Sequence, residues 1–157
     1  MTSGQGQGLI LLVKYASTEV SARVRLQPAK PGDCGLDLYN ASPSPITVLP
    51  GRSVEVPAGV SVKIPDGYAG FIRPRSSTFA RRGLFIVEGI IDSGYTGPLF
   101  THVWNPALNG HNYPVIIGPW ERLSQLIVVP VPALSVVETA EMPVTVRGAT
   151  GFGSTGT

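Results

Sequence analysis

Arg52-Ser53-Val54-Glu55-Val56-Pro57 and, two residues later, Val60-Ser61-Val62-Lys63-Ile64 alternate apolar and polar side chains. A strand sends successive side chains to opposite faces, so this near period-two pattern describes half-buried strands and not a helix. Pro50-Gly51 and Asp66-Gly67 are turn dipeptides that separate such segments. The texture continues outward. Upstream, Leu9 to Tyr15, Leu36 to Ala41 (after a turn-rich loop, Pro31 to Gly35) and Ile46 to Leu49 read as strands. Downstream, Tyr68 to Arg73, Tyr113 to Ile117 and Leu123 to Pro130 do the same, and Leu84 to Ile91 with Pro98 to Trp104 look like the arms of a hairpin around Asp92 to Gly97. Ser76 to Arg82 is the one stretch with helical character, with Ser76 or Ser77 as its N-cap. Nineteen glycines and fifteen prolines punctuate the chain too often for long helices. Many short strands joined by turns predict an all-β sandwich or barrel.

The 157 residues fit one domain with a sizeable core. Only 14% are charged, against roughly 25% in an average soluble protein, which suggests that another subunit covers part of the surface. The net charge is +2 and no basic run is present, so a free nucleotide suits this chain better than a duplex nucleic acid. The single cysteine, Cys34, excludes an intrachain disulfide and a cysteine-based zinc cluster, and His102 and His111 lack metal-ligand spacing. Leu9 to Val13 is too short an apolar run to span a membrane and has no basic segment before it. With no secretion signal, a cytoplasm-like compartment is expected.

Four stretches carry candidate chemistry. The tail from Val146 to Thr157 has Arg147, Phe152, hydroxyl residues beside glycines (Ser154 and Thr155 among them) and no core-forming pattern. Arginine forks onto phosphate, a flat ring stacks on a base, and glycines let N–H groups approach an anion; the tail is a nucleotide lid or a frayed terminus. Ile90-Ile91-Asp92-Ser93-Gly94-Tyr95 delivers a carboxylate at a tight turn behind two isoleucines. That is a rigid, partly desolvated general base, or an ordinary turn aspartate. Pro74-Arg75-Ser76-Ser77 can hold phosphate or cap a helix. In Gly35-Leu36-Asp37-Leu38, Asp37 points away from the leucine face, toward solvent or a hydrated Mg²⁺. In Glu121-Arg122-Leu123-Ser124-Gln125-Leu126, alternation puts Arg122, Ser124 and Leu126 on one face and Leu123 and Gln125 on the other.

Taken in order, Gly35 to Tyr39, Pro74 to Ser77, Gly89 to Gly97, Glu121 to Ile127 and the tail from Arg147 to Gly156 resemble the five motifs of the trimeric dUTP pyrophosphatase (dUTPase) family. The resemblance runs from about Leu9 to the C-terminus. It implies a distorted β-barrel or jelly roll over residues 1–143, with one short helix, and a glycine-rich arm over 144–157 that is exchanged between the subunits of a homotrimer with shared sites. The implied reaction is hydrolysis of dUTP to dUMP and pyrophosphate, which keeps uracil out of DNA and supplies dUMP. Asp92 is implied as the residue that activates water against the α-phosphorus. Tyr95 would pack under the deoxyribose, and Gly89, Ile90 and Ile91, with Phe100 opposite, would read uracil. Arg75, Ser76, Ser77 and Gln125 would hold the phosphates, and Asp37 would hold Mg²⁺ through water. Arg147, Phe152, Gly153, Ser154 and Thr155 would close from the arm. No stable nucleic-acid or membrane partner is implied.

The related dCTP deaminases use a glutamate on the strand after the third motif, where this chain has His102, which points away from deamination. A scaffold that only binds another protein would have no need of Asp92, Tyr95 and the arm. Its candidate surfaces, Pro106 to His111 and Trp120, read equally as a turn and a packed aromatic.

Overall fold

The alternating stretch that opens the sequence reading folds as one strand and not two. The computed structural model describes residues 9–108, 112–146 and 148. Its elements are β1 (Leu12–Tyr15), α1 (Thr18–Arg23), β2 (Gly35–Tyr39), β3 (Ile46–Val48), β4 (Ser53–Lys63), β5 (Tyr68–Pro74), α2 (Ser76–Arg82), β6 (Phe85–Val87), β7 (Gly89–Ile91), β8 (Pro98–Trp104), β9 (Val115–Ile117) and β10 (Arg122–Pro130). β4 stays continuous because a bulge between Pro57 and Ser61 absorbs the irregular residues. Pro57 has no N–H for a ladder, and Gly59 takes a left-handed φ of 70°.

Two four-stranded antiparallel sheets, ordered β1-β4-β8-β6 and β2-β10-β5-β7, share one core, and β3 pairs with β9 beside them. The sheets do not close into a barrel; the arrangement is a jelly-roll-like sandwich. Val56, Ala58, Val60 and Val62 project from β4 into that core, with Leu99 and Val103 from β8 and Leu126 from β10. Full burial of each large side chain contributes about 1.5–3 kcal/mol relative to exposure. Thr101 of β8 and Ser124 of β10, both fully buried, join the sheets through a 2.7 Å hydroxyl pair.

Four local expectations are corrected. A second helix, α1, is present, capped by the Ser17 hydroxyl, which accepts from the Val20 N–H at 3.2 Å; its signal was Ser17 followed by buried Val20 and Val24. The cap of α2 is Arg75, with no side-chain cap bond, so neither Ser76 nor Ser77 plays that role. The stretch from Leu84 to Ile91 is not one hairpin arm. β6 pairs with β8, whereas β7 crosses to the other sheet and pairs with β5, the exchange falling at Glu88. Finally, a bulge between Arg122 and Ser124 breaks the alternation of β10, so that Leu123 and Ser124 are both buried.

Beyond β10, residues 131–146 form no helix or strand, and Leu134, Val136 and Val144 are exposed. The expected arm residues Arg147, Phe152, Gly153, Ser154 and Thr155 lie outside the described residues, as does His111. Trp120 is half-buried at φ 62°, with the Arg23 guanidinium 5.1 Å from its ring, so it is packed within its own chain. Among the described residues no helix is long and apolar enough to cross a membrane.

Candidate active site

The departure of β7 from β8 opens the first half of the site. β7 is an edge strand, hydrogen-bonded on one side only to β5. β8 has β6 as neighbour only at His102–Trp104, so its Pro98–Thr101 segment faces β7 with no ladder between them. An unpaired strand edge offers N–H and C=O groups in alternation. Between these two edges lies a cavity of about 250 Å³ lined by Gly89, Ile90, Ile91, Asp92, Tyr95 and Phe100, all expected there, and by Ile72, Pro98, Leu99 and His102. Apolar walls with a few polar edges suit a flat heterocycle.

Asp92 stands at the end of β7, on a turn closed by Tyr95 N–H donating to the Asp92 carbonyl at 3.0 Å. The Tyr95 hydroxyl donates to the Pro98 carbonyl at 2.9 Å, which spends its polar end and leaves the ring for packing. Asp92 was expected to be partly desolvated; in the single chain it is exposed, because the turn projects beyond both sheets. Its carboxylate has no hydrogen-bond or ion-pair partner among the described residues, so its oxygens are free to take a water.

His102 shares the outer face of β8 with Phe100 and Trp104. Its Nδ1 lies 3.6 Å from Glu55 on β4. Sequence reasoning weighed His102 only as a replaced glutamate and did not place it in this cavity; the alternation through Phe100 carries that signal.

The second half is a cleft of about 280 Å³ between the β2–β10 ladder and the start of α2. It brings together Asp37, Arg75, Ser76 and Gln125, as expected, and adds Cys34 and Arg122. Asp37 is 17% exposed and holds two guanidinium groups, with Arg75 Nε at 2.9 Å from Oδ1 and an Arg122 nitrogen at 3.2 Å from Oδ2. Arg122 was read from the sequence only as a strand position; in register it is opposite Tyr39, and its guanidinium reaches Asp37 diagonally. Gln125 is opposite Asp37 in register and donates to the Pro74 carbonyl at 3.0 Å. Its amide fits because residue 35 is glycine, where a Cβ would fall 1.9 Å from the Gln125 oxygen. The Ser76 and Ser77 hydroxyls have no partner among the described residues, whereas the Thr78 hydroxyl anchors α2 to the Leu123 carbonyl at 2.7 Å. Ser77 departs from expectation: it lines an adjoining cleft with Arg81 and Arg82, one position further round the helix turn. Arg82 there is held by Glu121 and the Ile116 carbonyl.

Two guanidinium groups, a free hydroxyl and an amide make this an anion cleft suited to phosphate oxygens. It is no metal cage. Among the described residues no group of three histidine, cysteine, aspartate or glutamate side chains converges, and Asp37 already faces two cations. Of the two carboxylates that line the cleft, Asp33 is exposed and accepts from the Lys30 N–H at 2.9 Å, and Asp37 fits an outer role only, toward the waters of a metal that arrives with a phosphate ligand. The two clefts share no lining residue.

A family model described as dUTPase matches residues 23–156. The chain belongs to the dUTPase family. It is 38% identical over 130 residues to the deoxyuridine 5'-triphosphate nucleotidohydrolase of Gloeobacter violaceus, covering 82% of this chain and 86% of that relative. The corresponding protein of Leifsonia xyli subsp. xyli is 41% identical over 130 residues, covering 82% of each. Among solved structures, the Staphylococcus bacteriophage 80alpha dUTPase with dUPNHPP superposes with a TM-score of 0.82 at 27% identity, covering 94% of this chain and 99% of that one. The matched span includes both clefts, so the family assignment and the site geometry concern the same residues.

Proposed function

We propose that this dUTPase-family chain hydrolyses dUTP to dUMP and pyrophosphate at sites shared between three copies. The observation that carries this reading is the cavity between the free edges of β7 and β8, with Asp92 at its mouth. Uracil enters as a missing strand would, its edge read by the backbone of Gly89 to Ile91 and by the β8 edge near Phe100. Such main-chain recognition in a narrow slot leaves no space for a 5-methyl group. Tyr95 packs against the deoxyribose and excludes a 2′-hydroxyl.

The phosphates occupy the Asp37–Arg75 cleft of a neighbouring copy, on Arg75, Ser76 and Gln125, with Ser77 reaching them from the adjoining cleft that Arg75 also lines. Several features support a second copy. In one chain the two clefts are separate. Asp92 lacks the burial that tunes a base. Phe79, Phe85 and Trp104 form an exposed ring cluster, with centroids 4.6 and 5.8 Å apart, on the face that also carries His102. Exposed apolar patches of this kind mark interfaces. The arm, from residue 144 onward, closes over the site, with Arg147, Gly153, Ser154 and Thr155 on the phosphates and Phe152 on uracil.

Asp92 orients a water and takes its proton as the oxygen attacks the α-phosphorus; the bond to the bridging oxygen breaks and pyrophosphate leaves. Charge neutralisation and in-line positioning carry most of such a reaction. Mg²⁺ enters bound to the triphosphate as part of the substrate, and Asp37 faces its water shell. In that position the metal neutralises phosphate charge. A cellular role in keeping uracil out of DNA and supplying dUMP follows from the reaction. The test is pyrophosphate release from dUTP, dTTP, dCTP and UTP with Mg²⁺. Turnover of dUTP alone is expected; equal turnover of dTTP or UTP would overturn the reading of the slot and of Tyr95.

A further inference from the structure

Among the described residues, the turn that presents Asp92 takes one hydrogen bond from elsewhere in the chain. Residues 92–97 belong to no strand, and the only internal hydrogen bond of the segment is Tyr95 N–H to the Asp92 carbonyl. Tyr95 reaches forward to Pro98, still its own strand end. Among the described residues a single group from elsewhere in the chain donates to this turn. The Lys63 ammonium, thirty residues away, meets the carbonyl of Ser93 at 2.8 Å, next to Asp92. The same nitrogen donates to the Ile64 carbonyl at 3.3 Å and to Asp66 at 3.0 Å, so its three protons are assigned to three acceptors.

We infer that Lys63 is a positioning residue: it fixes the Asp92–Gly97 turn, and through it the direction of the Asp92 carboxylate. Lys63 is the last residue of β4, a strand paired with β1 on one side, where Lys63 is opposite Leu12, and with β8 on the other as far as Ser61 opposite Pro98. A cation on that frame transmits rigidity to a turn that has no ladder of its own. A bond to a charged donor is also stronger than a neutral one. The Asp66 contact is exposed on the aspartate side, at 92%, and serves the turn less than the Ser93 contact. A general base must sit within hydrogen-bond reach of its water, and a loosened turn carries Asp92 out of that reach while the β7 and β8 walls of the slot and the phosphate cleft stay in place; Tyr95, on the same turn, shifts with it. The inference rests on the assignment of Asp92 as the base.

The experiment compares Lys63→Met, Asp66→Asn, Asp92→Asn and the Lys63→Met/Asp92→Asn double variant of the full-length enzyme, measuring kcat, KM for dUTP with Mg²⁺, and thermal midpoint at one protein concentration. Lys63→Met is expected to lower kcat roughly 10- to 100-fold, the scale of a 1 Å misplacement, with a much smaller rise in KM from the shift of Tyr95 and a thermal midpoint nearly unchanged. Asp66→Asn is expected to turn over at the wild-type rate. In the Asp92→Asn background, Lys63→Met is expected to add no further loss, because it acts through Asp92. Lys63→Gln, judged by the same split between kcat and KM, replaces Lys63→Met if that variant does not fold. Wild-type kcat in the Lys63 variants beside an inactive Asp92→Asn, or losses that multiply in the double variant, overturns the positioning role alone. Wild-type kcat in Asp92→Asn overturns the assignment of the base.

Discussion

Replacing Thr101 by valine keeps its shape and removes one hydroxyl from the 2.7 Å pair with Ser124. Both residues are 0% exposed, and neither hydroxyl has another partner among the described residues. In Thr101→Val the Ser124 hydroxyl therefore stays buried with nothing to bond. An orphaned group of this kind costs about 1–3 kcal/mol, more than the roughly 1 kcal/mol net value of an ordinary hydrogen bond. Ser124→Ala should cost a similar amount by orphaning Thr101. The Thr101→Val/Ser124→Ala double variant removes both polar groups and should be no less stable than either single variant, giving a coupling at least as large as one single loss, about 1–3 kcal/mol. Urea unfolding at fixed protein concentration measures all three. Simple addition of the two losses in the double variant would refute the reasoning, because it would mean that the hydroxyls do not depend on each other. The pair sits on the core face, since alternation from the buried Leu126 turns Ser124 inward as well. Its loss should loosen β8 beneath Phe100 and His102 and raise the KM for dUTP modestly.

Three further variants probe the site. Asp92→Asn should keep dUTP binding and lose roughly 10²–10⁴ in kcat, the usual worth of a positioned base, as read by pyrophosphate release and by titration with a non-hydrolysable dUTP analogue. Phe152→Ala should weaken nucleotide binding by about 1–3 kcal/mol of stacking, and unchanged affinity in a calorimetric titration would show that the arm does not close on the base. Asp37→Asn removes the one carboxylate shared by Arg75 and Arg122. It should raise the KM for magnesium-dUTP and the Mg²⁺ concentration needed for half-maximal rate, and rates insensitive to it would remove Asp37 from the phosphate site.

What the sequence made legible follows from which interactions are local. Strand alternation and turn dipeptides are local, so the all-β class and most strand positions were readable, and the motif spacing placed Gly89 to Tyr95 and Phe100 around one cavity. Strand partners are not local. Nothing in Leu84 to Ile91 announces that the chain changes sheets at Glu88, yet that change opens the cavity between β7 and β8. The two bulges were hidden for the same reason, because a ladder slip is set by the partner strand. The double pairing of Asp37 with Arg75 and Arg122 joins residues far apart in sequence, and so does the Lys63 tie to Ser93. Ser17 was a local signal left unread, since the short stretch after it has only two apolar positions with which to declare a helix.

The division of the site between copies is tested most directly by mixing two inactive chains. One carries Asp92→Asn and the other Arg75→Ala, each tagged differently, unfolded together and reassembled so that mixed trimers can be isolated. If Asp92 and Arg75 act from different copies, each mixed trimer carries both intact residues at one of its three sites, and isolated mixed trimers should hydrolyse dUTP at about a third of the wild-type rate. Verified mixed trimers with no more activity than either parent would contradict the account.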